Sequence, residues 1–495
     1  MEYPDWVVKY KTKGTAIEKR RDKYYLTKIR SQWDPKKGRA KKITEKYLGA
    51  ITPQGLIPPK HERILQSITT GNITVKEYGA TQYILDNNKS LTDLLKHHYP
   101  GSWEQILSLA IFRLIYNTTL KNAEFYYLTS YLSETVPQVD LSNRSIGEFI
   151  RTLGVDKGRM EGFLHEFVTG TEYLAVDLTH VFSLSENVIS ATIGHNGAND
   201  FSPQINLFYL FSLDKMMPAY FRIIVGSINS AKSLRLSIKE SGAKNVVVIG
   251  DKGFYSKANV KDLETDHLHY IFPLKRDSSL ISYDRIRKGD KREFGGYFKF
   301  EKRVVWHYDC MFAGDEVQEG EKRRLVVFVD DKLKTEEQKD ALSRIDEVKD
   351  ENVKRVKLNM FYENQYRMGT IAVITDLNKS AEDLYGLLKA RVDIEQMYDT
   401  FKNTLNADRS YMRDDYQMEG WMFINFVSML LYYKIYNQLV ERKLLGQYSP
   451  RDVLVHLSRI HKIRLGDKWV TSEVPKKTNH IIEKLGEHIT KNLRS

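Results

Sequence analysis

The stretch Asn245–Ser256 reads NVVVIGDKGFYS and decides the predicted fold. Its apolar residues Val246 to Ile249 form a short unbroken run of β-branched residues, and Gly250 follows directly. Such a run is typical of a strand buried on both faces. Lys252-Gly253 then supplies a turn. This order puts Asp251 at the end of a rigid strand, on the rim of a sheet. A second and a third carboxylate could join it there around a metal ion.

Two further acidic residues are candidates for the same site. Asp177 lies inside the alternating run YLAVDLTHVFSLS that begins at Tyr173, and an acid within an apolar strand is costly unless it is paired, hydrogen-bonded or bound to metal. A half-exposed aspartate that faces solvent is the alternative. Glu395 lies on a helix opened by Ser380, with Arg391 four residues before it.

Lys402, seven residues after Glu395, should project from the same helical face as Arg391 and Glu395. A solvated salt-bridge face is the usual explanation for such spacing. Ser230 to Gly242 is predicted as a helix that precedes the Asp251 strand, so that Asp177 and Asp251 become neighbours if their strands lie side by side.

The positive charge of the chain is concentrated at its two ends. Residues 1–60 contain 16 Lys/Arg against 6 Asp/Glu, and residues 438–495 contain 12 against 6, while the whole chain of 495 residues has a net charge of +12. The intervening part is therefore slightly acidic. Two basic ends around an acidic body suit a protein that binds a polyanion. Basic termini that merely aid solubility are the alternative.

Cysteine content and hydropathy indicate the cellular compartment in which the protein is expected to work. One cysteine, Cys310, excludes a disulfide framework and a cysteine-based zinc site, and favours a reducing cytoplasm. No N-terminal segment resembles a signal peptide. The apolar stretch Trp421 to Tyr436 is interrupted by polar residues and predicts a core helix, so no membrane partner is expected.

The fold class predicted from these patterns is α/β. A mixed sheet flanked by helices carries an inserted β-rich subdomain and follows an N-terminal basic hairpin and a helical region. The predicted divisions begin with a basic hairpin at 1–60 and a helical region at 61–168. The mixed core is predicted at 169–267 and 376–437, with the β-rich insertion between its two parts at 268–375. A basic C-terminal helical region is predicted at 438–495.

Together these motifs resemble the DDE transposases of bacterial insertion sequences, in particular the group with a Tyr-Arg-Glu-Lys signature and a β-rich insertion before the last acid. The resemblance rests on AVDLTHVFS around Asp177, IGDKGFYS around Asp251, and the spacing of Arg391, Glu395 and Lys402. It covers residues 173–437, and more loosely 22–60, where YLGAITPQG is similar to the N-terminus of one branch. The tyrosine of the signature would fall at Leu388, whereas the nearest tyrosine is Tyr385.

The resemblance implies a ribonuclease-H-like core in which Asp177, Asp251 and Glu395 hold two Mg²⁺ ions, with Mn²⁺ as a possible substitute. Two such ions, about 3.5–4 Å apart, activate the attacking oxygen and stabilise the leaving one in a phosphodiester displacement. Water first frees a 3′-OH at the end of the element, and that hydroxyl then attacks target DNA.

The resemblance also implies DNA contacts and partners. Arg391 and Lys402 are expected to bind phosphates, and Trp306 is a candidate to stack on a flipped base, with a core aromatic role as the alternative. The implied partners are double-stranded DNA, as terminal inverted repeats and as target, and a second copy of the chain on paired ends. The implied location is the bacterial cytoplasm, at the nucleoid. Two other functions stay open: an inactive DNA-binding regulator, and a metal-dependent nuclease without strand transfer.

Overall fold

The computed structural model describes residues 3–34, 38–60, 62–63, 73–194, 201–228, 230–310 and 323–486. Its strands form sheets of four, ten and three strands. The predicted N-terminal hairpin is confirmed as β2 and β3. Two flanking strands extend this hairpin into an antiparallel sheet in the order β1-β2-β3-β4. The elements are α1 (Asp5–Val8), β1 (Thr15–Arg20), β2 (Lys23–Asp34), β3 (Arg39–Thr52) and β4 (Gly55–Ile57).

The next region is mainly helical, as the sequence predicted, and begins with one short strand. Its central helix, α4, is apolar on all sides and buried from Ile106 to Ile115, which makes it the middle of a helical layer. The elements are β5 (Thr74–Glu77), α2 (Gly79–Asn87), α3 (Lys89–His98), α4 (Trp103–Tyr116), α5 (Ala123–Thr129), α6 (Leu132–Thr135), α7 (Asn143–Val155) and α8 (Lys157–Val168).

The large mixed sheet begins with an antiparallel meander, β6-β7-β8, and continues through β9 and β10, which run parallel to β6 and to each other. Residues 184–203 separate β6 from β7. Every residue of β7 is buried, because helices and neighbouring strands cover it on all sides. The elements are β6 (Tyr173–Ser183), β7 (Gln204–Ser212), β8 (Met217–Val225), α9 (Ser230–Glu240), β9 (Val247–Ile249), α10 (Lys257–Thr265) and β10 (His269–Pro273).

The strands of residues 268–375 extend this same sheet, and the expectation of a separate β-rich subdomain is corrected. The order β11-β12-β13-β14-β10-β9-β6-β7-β8 is continuous, since β14 pairs with β10 and so covers an edge that would otherwise expose unpaired backbone groups. The elements are α11 (Asp284–Lys288), β11 (Gly296–Phe300), β12 (Arg303–Cys310), β13 (Arg324–Asp330), α12 (Asp331–Asp346), α13 (Glu351–Asn364) and β14 (Thr370–Thr375).

The helix predicted from Ser380 onward is divided. Its first part ends before Arg391, and a π-helical turn, Thr400–Thr404, follows the second part. The long helix α16 is buried over most of its length and confirms Trp421 to Tyr436 as a core helix. Within the described residues, no helix is both long and apolar enough to cross a bilayer. The elements are α14 (Ala381–Ala390), α15 (Val392–Asp399), β15 (Arg409–Ser410) and α16 (Asp415–Glu441).

The C-terminal region was predicted to be helical, but it also contains a β-hairpin. Its first strand, β16, pairs with β5 almost 400 residues earlier, which ties the end of the chain to the helical layer. The elements are α17 (Pro450–Leu457), β16 (His461–Leu465), β17 (Lys468–Thr471) and α18 (Lys476–Leu485).

Candidate active site

Asp177 and Asp251 lie side by side on neighbouring parallel strands. Ala175 of β6 is the partner of Ile249 of β9, and each acid comes two residues after its member of that pair. Gly250 allows the ring of Phe272 to pack against the backbone at this point, because a Cβ there would lie 2.7 Å from that ring. The neighbouring position that the sequence predicted for the two acids is therefore confirmed.

Glu395 reaches the same place through Arg391. The Arg391 guanidinium donates from Nη2 to Glu395 Oε1 at 2.8 Å and from Nη1 to Asp177 Oδ2 at 3.4 Å. The Arg391 side chain is 14% exposed. A largely buried cation thus joins the first and the third acid, so the pairing of Arg391 with Glu395 is more than a solvated surface bridge.

The three carboxyl groups share one electrostatic environment. Burial is the main cause that raises the pKa of Asp177 to about 6, and the negative charges of Asp251 and Glu395 raise it further. The backbone N–H of Leu178 and the guanidinium of Arg391 act in the opposite direction. A divalent cation would offset the cost of keeping Asp177 ionised in its buried place.

Lys402 lies in the π-helical turn rather than on a regular helical face with Glu395. Burial lowers the pKa of Lys402, while the charges of Asp408 and Asp177 raise it, so its ammonium group is within electrostatic reach of the first acid. Such π-helical turns are frequent at functional sites. The sequence predicted one regular helical face for Arg391, Glu395 and Lys402, and the π-helical turn departs from that geometry.

Trp306 lies away from the acids. It belongs to β12, four strands from β9, which corresponds to about 19 Å at the usual spacing of neighbouring strands. The indole is half-buried, 5.1 Å from the ring of Tyr297, with Lys291 Nζ 4.6 Å from its centroid. These contacts suit a packing role, and base stacking by Trp306 stays a prediction.

The donor chemistry fits a hard divalent cation, since carboxylate oxygens are the ligands that Mg²⁺ prefers. Across the described residues, however, no three His, Cys, Asp or Glu side chains lie close enough to hold one ion. The guanidinium of Arg391 contacts both Asp177 and Glu395. The carboxylates therefore fit the ion by their chemistry, in an arrangement that Arg391 now neutralises.

Comparison with protein families gives a match over residues 186–431, to the family described as "Transposase DDE domain". Residues 186–431 are therefore similar to DDE transposase domains. The matched range contains Asp251 and Glu395 and begins nine residues after Asp177. No curated protein matches the chain.

Solved structures of two transposases resemble the chain weakly. One is the piggyBac transposase synaptic complex with hairpin DNA, whose chain is 11% identical in sequence with a TM-score of 0.39. The match covers 72% of this chain and 70% of the piggyBac transposase chain. The other is the Mos1 transposase paired-end complex with the left transposon end, whose chain is 12% identical in sequence with a TM-score of 0.14. The match covers 31% of this chain and 53% of the Mos1 transposase chain. Neither likeness carries an argument about this transposase domain.

Arg113 links the helical layer to the region that matches the transposase domain. The sequence analysis did not single it out. This buried arginine of α4 donates to Thr118 O at 2.7 Å, to Leu405 O at 2.5 Å and to Asn425 Oδ1 at 2.9 Å. Leu405 directly follows the π-helical turn that carries Lys402. A signal was available, since Arg113 is the one charged residue between Leu107 and Tyr116.

Asp177→Asn is expected to stabilise the metal-free protein. The folded state raises the pKa of this carboxyl from 3.8 to about 6, so ionisation of Asp177 opposes folding above that pH. Removing the charge should raise the free energy of unfolding by about 2–3 kcal/mol at pH 7.5 and by almost nothing at pH 3.5. Urea unfolding at both pH values measures this gain, with the exposed Asp266→Asn as control. An equal gain at both pH values would contradict the electrostatic explanation.

Proposed function

We propose that this DDE transposase belongs to the Tyr-Arg-Glu-Lys group and performs cut-and-paste transposition. It cuts DNA at the ends of an insertion sequence and joins the freed 3′-OH ends to target DNA. The observation that supports the proposal is the placement of Asp177 and Asp251 at level positions of the paired β6 and β9, with Arg391 hydrogen-bonded to both Asp177 and Glu395. We assign these strands and helices to a ribonuclease-H-like core.

Each residue of the site has a proposed role. Asp177, Asp251 and Glu395 would hold Mg²⁺, which supplies an activated oxygen and stabilises the leaving one when bound. Arg391 offers a planar fork that suits a phosphate of the cleaved strand, and Lys402 offers a second positive charge. The hydrogen bond of Arg391 to Asp177 and the electrostatic influence of Asp177 on Lys402 support these two roles.

The basic N-terminal sheet is proposed to bind DNA outside the site. Exposed lysines line both long strands, among them Lys28 of β2 and Lys41 and Lys42 of β3, and Trp33 beside them is 64% exposed. Ammonium groups with a neighbouring aromatic ring suit contact with a DNA backbone. Residues 61–168 and the basic residues 438–495 are proposed as accessory DNA-binding regions. Trp306 remains proposed to stack on a flipped base if the cleaved DNA end forms a hairpin.

Two copies are proposed to act on paired ends that carry terminal inverted repeats, with the nucleoid in the cytoplasm as the place of action. The proposal is tested with a pre-cleaved end that has a free 3′-OH, built on the imperfect inverted repeats that should bound the reading frame. Joining of this end to plasmid DNA in the presence of Mg²⁺ is the expected result. Cutting without joining would indicate a nuclease, and binding alone would indicate a regulator.

A further inference from the structure

An open groove begins beside the second acid. It has a volume of about 530 Å³, and its lining includes Lys252, which directly follows Asp251. The other side is formed by the residues after β10 and by the start of β14. The groove therefore extends from the residue after Asp251 toward β14 of the large sheet.

The strand register brings the groove within reach of DNA bound at the acids. Ile271 of β10 is the partner of Ile249 of β9, so Pro273, two residues further, lies level with Asp251 on the adjacent strand. Neighbouring strands are about 4.8 Å apart, and successive phosphates of a single DNA strand are separated by a similar order of distance. A nucleotide next to a bond cleaved at Asp251 would thus enter the groove.

One wall of the groove is a fixed guanidinium plane. Arg276 donates from Nη1 and Nη2 to the two carboxylate oxygens of Glu337, at 2.9 and 2.8 Å, and from Nε to Thr370 O at 2.9 Å. Glu337 also accepts from Gly369 N at 2.7 Å. A guanidinium held in this way offers its flat face for stacking with a base, as arginine does in single-stranded nucleic acid recognition.

The rest of the groove combines apolar and positive groups. Pro273 and Ile371 are half-buried and present carbon atoms. Lys252 and Lys275 are exposed, and within the part of the chain that the structure describes neither has an acidic side chain at ion-pair distance. Asp277 is an opposing exposed carboxylate, while the charge of Glu337 is balanced by Arg276.

We propose that this groove binds the flanking DNA strand, meaning the first nucleotides beyond the cleaved bond. A base lies against Pro273, Ile371 and the plane of Arg276, and the adjoining phosphates contact Lys252 and Lys275. The proposal rests on the proposed function, because it places the cleaved bond at Asp177, Asp251 and Glu395. It makes the two lysines and Arg276 a binding site for donor DNA outside the element.

Two fluorescent duplexes test the proposal. Both carry the inverted repeat that adjoins the reading frame; one stops at the cleaved bond and the other continues for about ten nucleotides of flank. The full-length protein is expected to bind the longer duplex more tightly. The double variant Lys252→Ala, Lys275→Ala should lose five- to tenfold affinity for the longer duplex and less than twofold for the shorter one. For the longer duplex, the slope of log affinity against log salt concentration should fall by the equivalent of about one to two phosphate contacts.

The matched control is Lys299→Ala, Lys302→Ala, which removes the same charge from exposed positions at β11. It should affect both duplexes equally and weakly. Equal losses from the groove variant and the control, or equal losses on both duplexes, would overturn the groove. A protein that cuts the longer duplex without preferring it also overturns the groove and leaves the proposed function standing. A preference that depends on the two lysines without any cutting keeps the groove and overturns the function.

A 2-aminopurine at the first flanking position tests the stacking surface separately. Its fluorescence should be quenched on binding to the wild type. Arg276→Lys keeps the charge but removes the plane, so quenching should fall by at least half while the dissociation constant changes less than threefold. Unchanged quenching in Arg276→Lys would refute the stacking role of Arg276.

Discussion

Asp251→Asn is expected to reduce Mg²⁺-dependent DNA nicking by at least about 10³-fold, which corresponds to about 4 kcal/mol of transition-state stabilisation. The physical reason is the loss of one of three charged oxygen donors at the end of β9. Retention on DNA at low salt should change by less than about twofold, since affinity resides mainly in the basic ends. Nicking and filter binding of the same purified variant measure the two effects.

The matched control for this experiment is Asp266→Asn. It makes the same change of charge at an exposed position after α10, and it should leave nicking unchanged. Nicking by Asp251→Asn at an undiminished rate would contradict the assignment of the second acid. Equal loss of nicking and of DNA retention would instead show that Asp251 acts in binding.

Arg113→Ala is expected to lower the free energy of unfolding by about 3–5 kcal/mol. The variant leaves the carbonyl groups of Thr118 and Leu405 and the amide oxygen of Asn425 without their donor in the core. Burial lowers the pKa of Arg113 to about 10, so the side chain is still charged near neutral pH and binds these oxygens as a cation. Urea unfolding followed by tryptophan fluorescence measures the loss.

Arg235→Ala provides the comparison, because Arg235 forms a surface ion pair with Asp262 at 3.1 Å and is 59% exposed. Its removal should cost less than about 1 kcal/mol. Arg113→Lys retains the charge but has fewer donors in a different geometry, so an intermediate loss is expected. A loss below about 1 kcal/mol for Arg113→Ala would contradict the role of Arg113 as the link between α4 and the turn that carries Lys402.

The site was predictable from the sequence where local pattern determines it. Asp177 interrupts an alternating strand and Asp251 ends a buried one, and both features follow from short-range periodicity. The contact of Arg391 with Glu395 follows from helical spacing. The position of Lys402 did not follow, because the π-helical turn depends on packing and on the hydrogen bond from Arg113 to Leu405 rather than on spacing.

The fold was predictable to the same limit. Strand and helix patterns gave the α/β class and the order of elements, but pairing partners far apart in the chain have no local signal. The pairing of β5 with β16 and that of β10 with β14 are of this kind. The second pairing turns the expected separate subdomain into one continuous sheet, and it also forms the groove that begins at Lys252.

Cleavage of the polypeptide by bound Fe²⁺ tests most directly whether the three acids form one metal site. Fe²⁺ that replaces Mg²⁺ generates hydroxyl radicals in the presence of ascorbate and peroxide, and these cut the chain next to the ion. The expected result is cuts clustered near residues 177, 251 and 395, suppressed by excess Mg²⁺ and absent in Asp251→Asn. Cuts at unrelated positions, or cuts that persist unchanged in Asp251→Asn, would contradict a shared site.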